Sequence, residues 1–317
     1  MAISTCTNKV GLQGRELSEH GTRAFPVGCY YDNLQQEPTP WHWHDELEAV
    51  VVSSGDVCVM VGEDQTTVRA GDGFFINANM LHAVRPAAGG ECRLHSLVFH
   101  PRLIAGTMES VFWQRYMQPL ISNTSLRFCT FTPAGQPEAV SCIESAWHKC
   151  AEEPAGYEFE VRSALSRLIH LLYTGMSAGS AASDSSARRY ARKSERDEGR
   201  IKLMLQYIQT YYTEELTSAQ SAAAAQISES ECLRCFRSTI GMPPVQYLRQ
   251  FRIQEGSRML LSTDKKIAEI ATACGFHNIS YFTKTFRDLK GCTPGEFRMK
   301  HRSLDRSLDH SQDLPPE

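Results

Sequence analysis

The stretch GFHNISYFTKTFRDLKGCTPGEFR, residues 275–298, decides the fold of its half of the chain. Asn278 has the side chain of a good helix N-cap, so a helix is expected to start there. The segment before it, KIAEIATACGF (266–276), predicts another short helix. Two helices crossing at a tight turn need a small residue at the crossing. They also need a turn residue tolerant of unusual backbone angles. Ala271 and Gly275 meet those needs. Gly291 and Pro294 follow the second helix.

Upstream, the same rhythm recurs. SAAAAQ (221–226) is followed by ISESECLRCFRSTIG (227–241). Phe236-Arg237, Gly241 and Pro243 mirror Phe286-Arg287, Gly291 and Pro294, and Ser228 is the matching N-cap. Ile201, Met204, Leu205 and Ile208 fall at helical spacing in front of the pair, and the whole region after 201 is helical in pattern. Lys and Arg outnumber Asp and Glu 15 to 9 over 200–302, about +6, in a chain whose net charge is −3. This end suits an anionic partner and the rest does not.

Residues 201–302 resemble the DNA-binding domain of AraC/XylS-type transcriptional regulators. Gly275-Phe276, Tyr281-Phe282, Phe286-Arg287, Gly291, Thr293-Pro294 and Phe297-Arg298 carry the resemblance. It implies two helix-turn-helix units joined by a long helix at about 243–261, with each second helix entering a major-groove segment on one face of double-stranded DNA. Recognition helices bury one face and present the other. Tyr281, Phe282 and Phe286 are expected in the core. Asn278, Ile279, Ser280, Thr283 and Lys284 are then left for the groove, with Arg287 for phosphate. In the first unit the matching positions are Ser230, Leu233 and Arg234, with Arg237 for phosphate. Each of these competes with an ordinary solvated helix face.

Two departures weaken the first unit. Ser221 replaces a branched apolar residue, and Glu229 and Glu231 bring carboxylates toward phosphate. Gly256 also sits inside the long helix, at a cost of about 1 kcal/mol. The CLRC run (232–235) has redox or half-zinc spacing, yet no second pair lies nearby, so buried thiols are expected.

The other half reads differently. Residues 25–100 hold short Val-, Phe- and Ile-rich runs cut by SSGD, GED and AGDG, the texture of a small β-barrel or sandwich. Within PTPWHWHDELEAVVVSSGD (38–56), His42 and His44 lie two apart and share a strand face, while Trp43 points away. Glu48 is an even step further. This region resembles a cupin. His42-x-His44-x3-Glu48-x6-Gly55 fits the first cupin motif, and AGDGFFINANMLHAV (70–84) fits the second, ending in His82. Asn77 and Asn79 stand where that motif has Pro and Gly, which leaves the placement of His82 open. Three histidines and a carboxylate suit a divalent zinc, nickel, manganese or iron ion. They equally suit the wall of an effector pocket. Trp41, Trp43, Phe74 and His95 are weaker candidates for that pocket, with core packing as the plain alternative.

Between the two halves, SVFWQRYMQPLI (110–121) predicts a short helix ended near Pro119, and RFCTF (127–131) a returning strand. Helices are expected over 137–153 and 157–176. Val161, Leu165, Leu168, Ile169 and Leu172 form a stripe suited either to the core or to a dimer face. SAGSAASDSSARRYARKSERDEGR (177–200) has almost nothing apolar to bury and is expected to be a flexible linker. The tail from 303 is expected to be disordered.

The expected architecture is therefore multidomain. A cupin-like sensor domain of all-β type spans 1–108, a helical dimerisation region 109–176 and a linker 177–199. An all-α double helix-turn-helix domain spans 200–302. Eleven cysteines without framework spacing suit reduced thiols, and no apolar run is long enough to cross a bilayer. The N-terminus lacks a signal-peptide core, so a cytoplasmic protein with no membrane partner is expected. The expected role is an effector-responsive regulator, a homodimer on an operator, with RNA polymerase as a partner if it activates. No catalytic residue is assigned. One alternative is a metal-dependent cupin oxygenase or isomerase with a DNA-binding tail. Another is a regulator whose cupin is purely structural.

Overall fold

The computed structural model describes residues 20–34, 39–87, 90–123, 125–179 and 185–300. Contacts divide the chain into two compact units, Met1–Lys202 and Leu203–Glu317.

In the first unit, two antiparallel sheets face each other. The strands are β1 (Val27–Asn33), β2 (Thr39–His42), β3 (Leu47–Ser54), β4 (Val57–Val61), β5 (Asp64–Val68), β6 (Gly73–Ile76), β7 (His82–Pro86), β8 (Arg93–Phe99) and β9 (Phe128–Phe131). One sheet runs β1-β8-β3-β6-β9, the other β2-β7-β4-β5. Strand alternation builds two cores from one sheet. On β3, Val50 and Val52 face inward and pack with Val57, Val59, Val61 and Val84 of the smaller sheet. Leu47, Ala49 and Val51 face outward and pack with helices.

Those helices are α1 (Arg102–Ala105), α2 (Gln118–Ile121), α3 (Pro137–Glu152) and α4 (Tyr157–Gly179). The stripe Val161, Leu165, Leu168, Ile169 and Leu172 is buried in this intrachain core, together with Ile143 and Trp147 of α3. It is therefore core, and any dimer contact of α4 must use its other face. Pro119 does not end a helix as expected. It lies in the first turn of α2, behind a π-helical turn at Trp113–Met117. The helical run from 111 to 121 is unbroken, and the proline is tolerated just after the π-helical turn, where the Gln118 N–H reaches back to the Trp113 carbonyl and the regular ladder is already interrupted. The returning strand appears as β9.

The linker expectation for 177–199 is corrected. Helix α4 extends to Gly179, and α5 (Ser185–Thr210) covers most of the rest; residues 180–184 lie outside the described residues. Asp197 and Glu198 of α5 are buried. Counting apolar residues missed this, because what is buried here is charge matched by charge. The tail from 303 also lies outside the described residues.

The second unit continues from α5 through α6 (Ser218–Ala224), α7 (Glu229–Cys235), a π-helical turn at Phe236–Ile240, α8 (Pro244–Ser262), α9 (Ile267–Ala273) and α10 (Ile279–Lys290). Thr217 and Gln220 form a capping box at the start of α6. Ile253 and Leu260 of α8, Ile270 and Ala271 of α9, and Phe282 and Phe286 of α10 share one core with Phe276 and Phe297. Gly275 adopts φ +77°, and a Cβ there would come within 2.7 Å of the Thr213 carbonyl oxygen. Gly256 faces Phe282, 3.0 Å from where its Cβ would be, so this glycine lets α10 approach α8 closely.

Candidate functional site

The three histidines come together. On β2 and β7, His42 is paired in register with His82, which sets their rings 4.1 Å apart. His44 lies just past β2, with its ring 5.1 Å from His82 and 5.5 Å from His42. All three are buried, and one ligand nitrogen from each lies within 4.8 Å of the others.

Second contacts orient the rings. The Nδ1 atoms of His42, His44 and His82 lie 2.9, 3.1 and 2.8 Å from the carbonyl oxygens of Pro40, Glu46 and Met80. A carbonyl only accepts, so each Nδ1 carries a proton, and the Nε2 atoms of His44 and His82 are left to bind something else. Glu48 Oε2 lies 2.9 Å from His82 Nε2 and 3.6 Å from His44 Nε2. Neither approach has hydrogen-bond direction, and both Nε2 atoms are buried without a hydrogen-bond partner. Burial pushes the Glu48 carboxyl up. Hydrogen bonds and charge from protonated His44 and His82 would outweigh it and hold the group well below the usual carboxylate range; with both Nε2 atoms unprotonated, that role falls to a bound cation. Three imidazole lone pairs and one carboxylate, converging in a buried spot, fit a divalent cation.

The two asparagines explain how His82 is delivered without the cupin Pro and Gly. Asn79 takes φ +62°, which Asn adopts more readily than most residues, and its N–H donates to the His44 carbonyl at 2.8 Å. Asn77 is buried, and its Nδ2 donates to the carbonyls of Leu120 and Leu126, each at 2.9 Å. Backbone freedom and side-chain hydrogen bonds hold the turn.

The weaker pocket candidates separate. Trp41 is buried on β2. Trp43 lies under the Lys202 ammonium, 5.0 Å from its ring centroid. Phe74 is fully buried in the core between the sheets, so it is packing rather than pocket wall. His95 is placed elsewhere. It stacks on Trp147 at 3.8 Å between ring centroids, and its Nδ1 lies 2.9 Å from Glu144. The reason is parity: Leu94 packs between the sheets, while His95 one step on faces α3.

Sequence reading missed His20 and Tyr30. His20 is buried with its ring 5.6 Å from that of His44, and its Nδ1 is 2.8 Å from the Tyr30 hydroxyl. Nothing periodic in its neighbourhood marks it.

In the second unit, Ser228 and Asn278 cap α7 and α10 as expected, accepting from the Glu231 and Tyr281 N–H groups. Ser230, Arg234 and Arg237 are exposed and Leu233 is half-buried. On α10, Asn278, Ile279, Ser280, Lys284 and Arg287 are exposed, with Thr283 half-buried. They form a polar, cationic face opposite Phe282 and Phe286. Tyr281 departs from the expected core. It is 47% exposed, with the Arg249 guanidinium 5.9 Å from its ring centroid. It follows Asn278 by three positions, and the core side of α10 is already filled by the two phenylalanines. Cys232 and Cys235 are fully buried, and burial pushes the Cys232 thiol up to about 11. They are inert packing.

Residues 25–191 match the family described as AraC-like ligand binding domain, and residues 221–300 that described as helix-turn-helix domain. The uncharacterized HTH-type transcriptional regulator YdeC of Bacillus subtilis (strain 168) is 27% identical over 90% of this chain and 95% of its own length. The HTH-type transcriptional activator RhaR of Klebsiella pneumoniae is 24% identical over 92% of this chain and 98% of its own. Among solved structures, ToxT from Vibrio cholerae O395 aligns with 88% of this chain and 98% of its own at 11% identity and a TM-score of 0.45.

Proposed function

Because the chain belongs to the AraC family of DNA-binding transcriptional regulators, carrying both its ligand-binding and its helix-turn-helix domain, we propose that it is a sensor whose histidine site controls operator binding. The site of His42, His44, His82 and Glu48 holds a divalent metal, zinc by ligand type, and forms the floor of the effector site. A bound metal supplies a Lewis-acidic centre that an anionic or chelating effector can approach. The protein's own groups orient the ligands through the Pro40, Glu46 and Met80 carbonyls. The observation that supports this most is the pair of buried Nε2 atoms facing a carboxylate with no hydrogen bond between them.

The protein acts in the cytoplasm as a homodimer on double-stranded DNA, and contacts RNA polymerase where it activates. Helices α7 and α10 read the grooves. Asn278, Ser280 and Lys284 are exposed at the start and along the outer face of α10, where side chains meet base edges. Arg287 and Arg237 hold phosphate. An effector that binds one arrangement of the dimer better shifts DNA affinity reciprocally.

Two measurements test the reading. Metal content is determined by plasma mass spectrometry on tag-free protein prepared without chelator or nickel resin. Near-stoichiometric metal is expected, and its loss in the His42→Ala/His44→Ala variant. Metal equally absent from both proteins contradicts the metal site. Duplexes are then selected from a random pool by the full-length protein. A recurring sequence is expected, and a pool without one contradicts sequence-specific reading.

A further inference from the structure

Helix α5 grips the turn that delivers His82. Glu198 Oε1 accepts from the Leu81 backbone N–H at 3.0 Å, one residue before His82. Glu198 Oε2 accepts from Arg127 Nη2 at 2.7 Å. Lys202, one helical turn on, donates to the Asn79 carbonyl, lies 3.3 Å from Glu198, and covers the Trp43 ring. The turn is gripped from the site side as well, where the Asn79 N–H donates to the His44 carbonyl. Arg127 is itself fixed in place. Its carbonyl accepts from the Asn77 N–H at 3.0 Å, and its guanidinium passes so close to Gly62 that a Cβ there would collide with it.

Residues 77–82 therefore stand between two anchors, the histidine cluster and α5. Glu198 is buried, and its carboxylate is matched by a guanidinium, an ammonium and a backbone N–H. Such a group has one well-satisfied position and is costly to leave half-satisfied, which makes the contact close to all-or-none. The same α5 runs without a break to Thr210, and near its end Gln209 donates to the Tyr247 hydroxyl of α8 at 2.8 Å.

We propose that Glu198 is a positioning residue that locks the His82 turn to α5, so that filling the histidine site and holding α5 in place are a single equilibrium. This rests on the reading of the histidines as the sensing site. It adds the route by which occupancy reaches the helix that continues into the DNA-binding unit. Linkage makes the coupling reciprocal: whatever tightens the turn tightens α5, and loosening α5 weakens the site.

The test is hydrogen exchange on the full-length protein, following the Leu81 amide and the amides of 203–209, with Zn2+ alone as the probe. Zinc affinity is measured in parallel by calorimetry. In the wild type, zinc is expected to slow exchange over 203–209 by about fivefold or more. Glu198→Ala is expected to lose that response and to bind zinc more weakly by a similar factor, and Glu198→Gln to restore part of both. Lys202→Met, at a more accessible position, provides the second variant should Glu198→Ala not fold. Zinc that binds with no change over 203–209 overturns the proposal, as does a full response in Glu198→Ala. If zinc does not bind, the metal reading fails by itself. Zinc-free protein then decides the coupling. Faster exchange over 203–209 in His82→Ala or His44→Ala supports it, and unchanged exchange in both overturns it.

Discussion

Asn79 is a residue whose choice carries the site. At φ +62° it sits where only Gly and a few polar residues are at ease, and its N–H ties the turn to His44. Asn79→Gly is expected to leave zinc affinity near the wild-type value. Asn79→Val introduces a β-branched side chain at positive φ and should cost about 1–2 kcal/mol in thermal or denaturant unfolding of the first unit. A Val variant as stable as the wild type would show that the turn does not need that backbone angle. Glu198 is the other such residue. Removing it leaves the Arg127 guanidinium, only 16% exposed, without that partner, and destabilisation of about 3 kcal/mol is expected in urea unfolding. The two differ in how visible they are. His42, His44 and Glu48 follow a motif that marks them as a group, whereas His82, whose placement the altered second motif left open, is brought to them by the register of β2 and β7. Glu198 lies in a run of charges that reads as solvated surface, and its burial depends on Arg127, Leu81 and Lys202, which lie far from it or carry no special pattern. His95 shows the opposite failure. A histidine beside a β-rich pocket sequence invites assignment to the pocket, and one step of strand parity puts it on the other face.

At the scale of elements, the helices of the second unit were the most legible part. Caps, glycines and aromatic positions repeat across α6–α7 and α9–α10, and the structure has Ser228 and Asn278 capping where they were expected. Gly275→Ala meets both positive φ and the Thr213 backbone, so a loss of at least about 1 kcal/mol is expected, seen as a lower melting temperature of this unit. Gly256→Ala gains helix propensity but presses on Phe282, so no rise in melting temperature is expected despite the roughly 1 kcal/mol that propensity alone would add. On α10, Lys284→Ala is expected to weaken binding to the selected duplex by about 1–3 kcal/mol and to relax preference at one base position. Arg287→Ala should weaken all duplexes alike and lower the slope of log affinity against log salt by about 1. If Lys284→Ala leaves specific affinity unchanged, the reading face is misassigned. Helix α5 was the least legible element. Its first half lacks apolar periodicity in the sequence, and the buried Asp197 and Glu198 sit in a run of charges.

For the whole molecule, no helix of the described residues is long and apolar enough to cross a membrane. The stripe of α4 first considered for a dimer face is spent in the intrachain core. Phe159 on the same helix is 79% exposed, beside Phe112 at 55%, and both line a groove of about 780 Å³ with Tyr116 and Tyr173. If homodimers form through this face, Phe159→Glu is expected to shift the protein to monomer in analytical ultracentrifugation while leaving its circular dichroism unchanged. A dimer that survives the change would place the interface elsewhere. On the proposed function, occupancy of the histidine site and DNA binding form one linked equilibrium. The most direct measurement is the dissociation constant of the full-length protein for its selected duplex, with and without Zn2+, at one fixed salt concentration. A change of about fivefold or more is predicted for the wild type, and none for His42→Ala/His44→Ala. Identical constants with and without the ion, in a wild type shown to have bound it, would exclude that linkage.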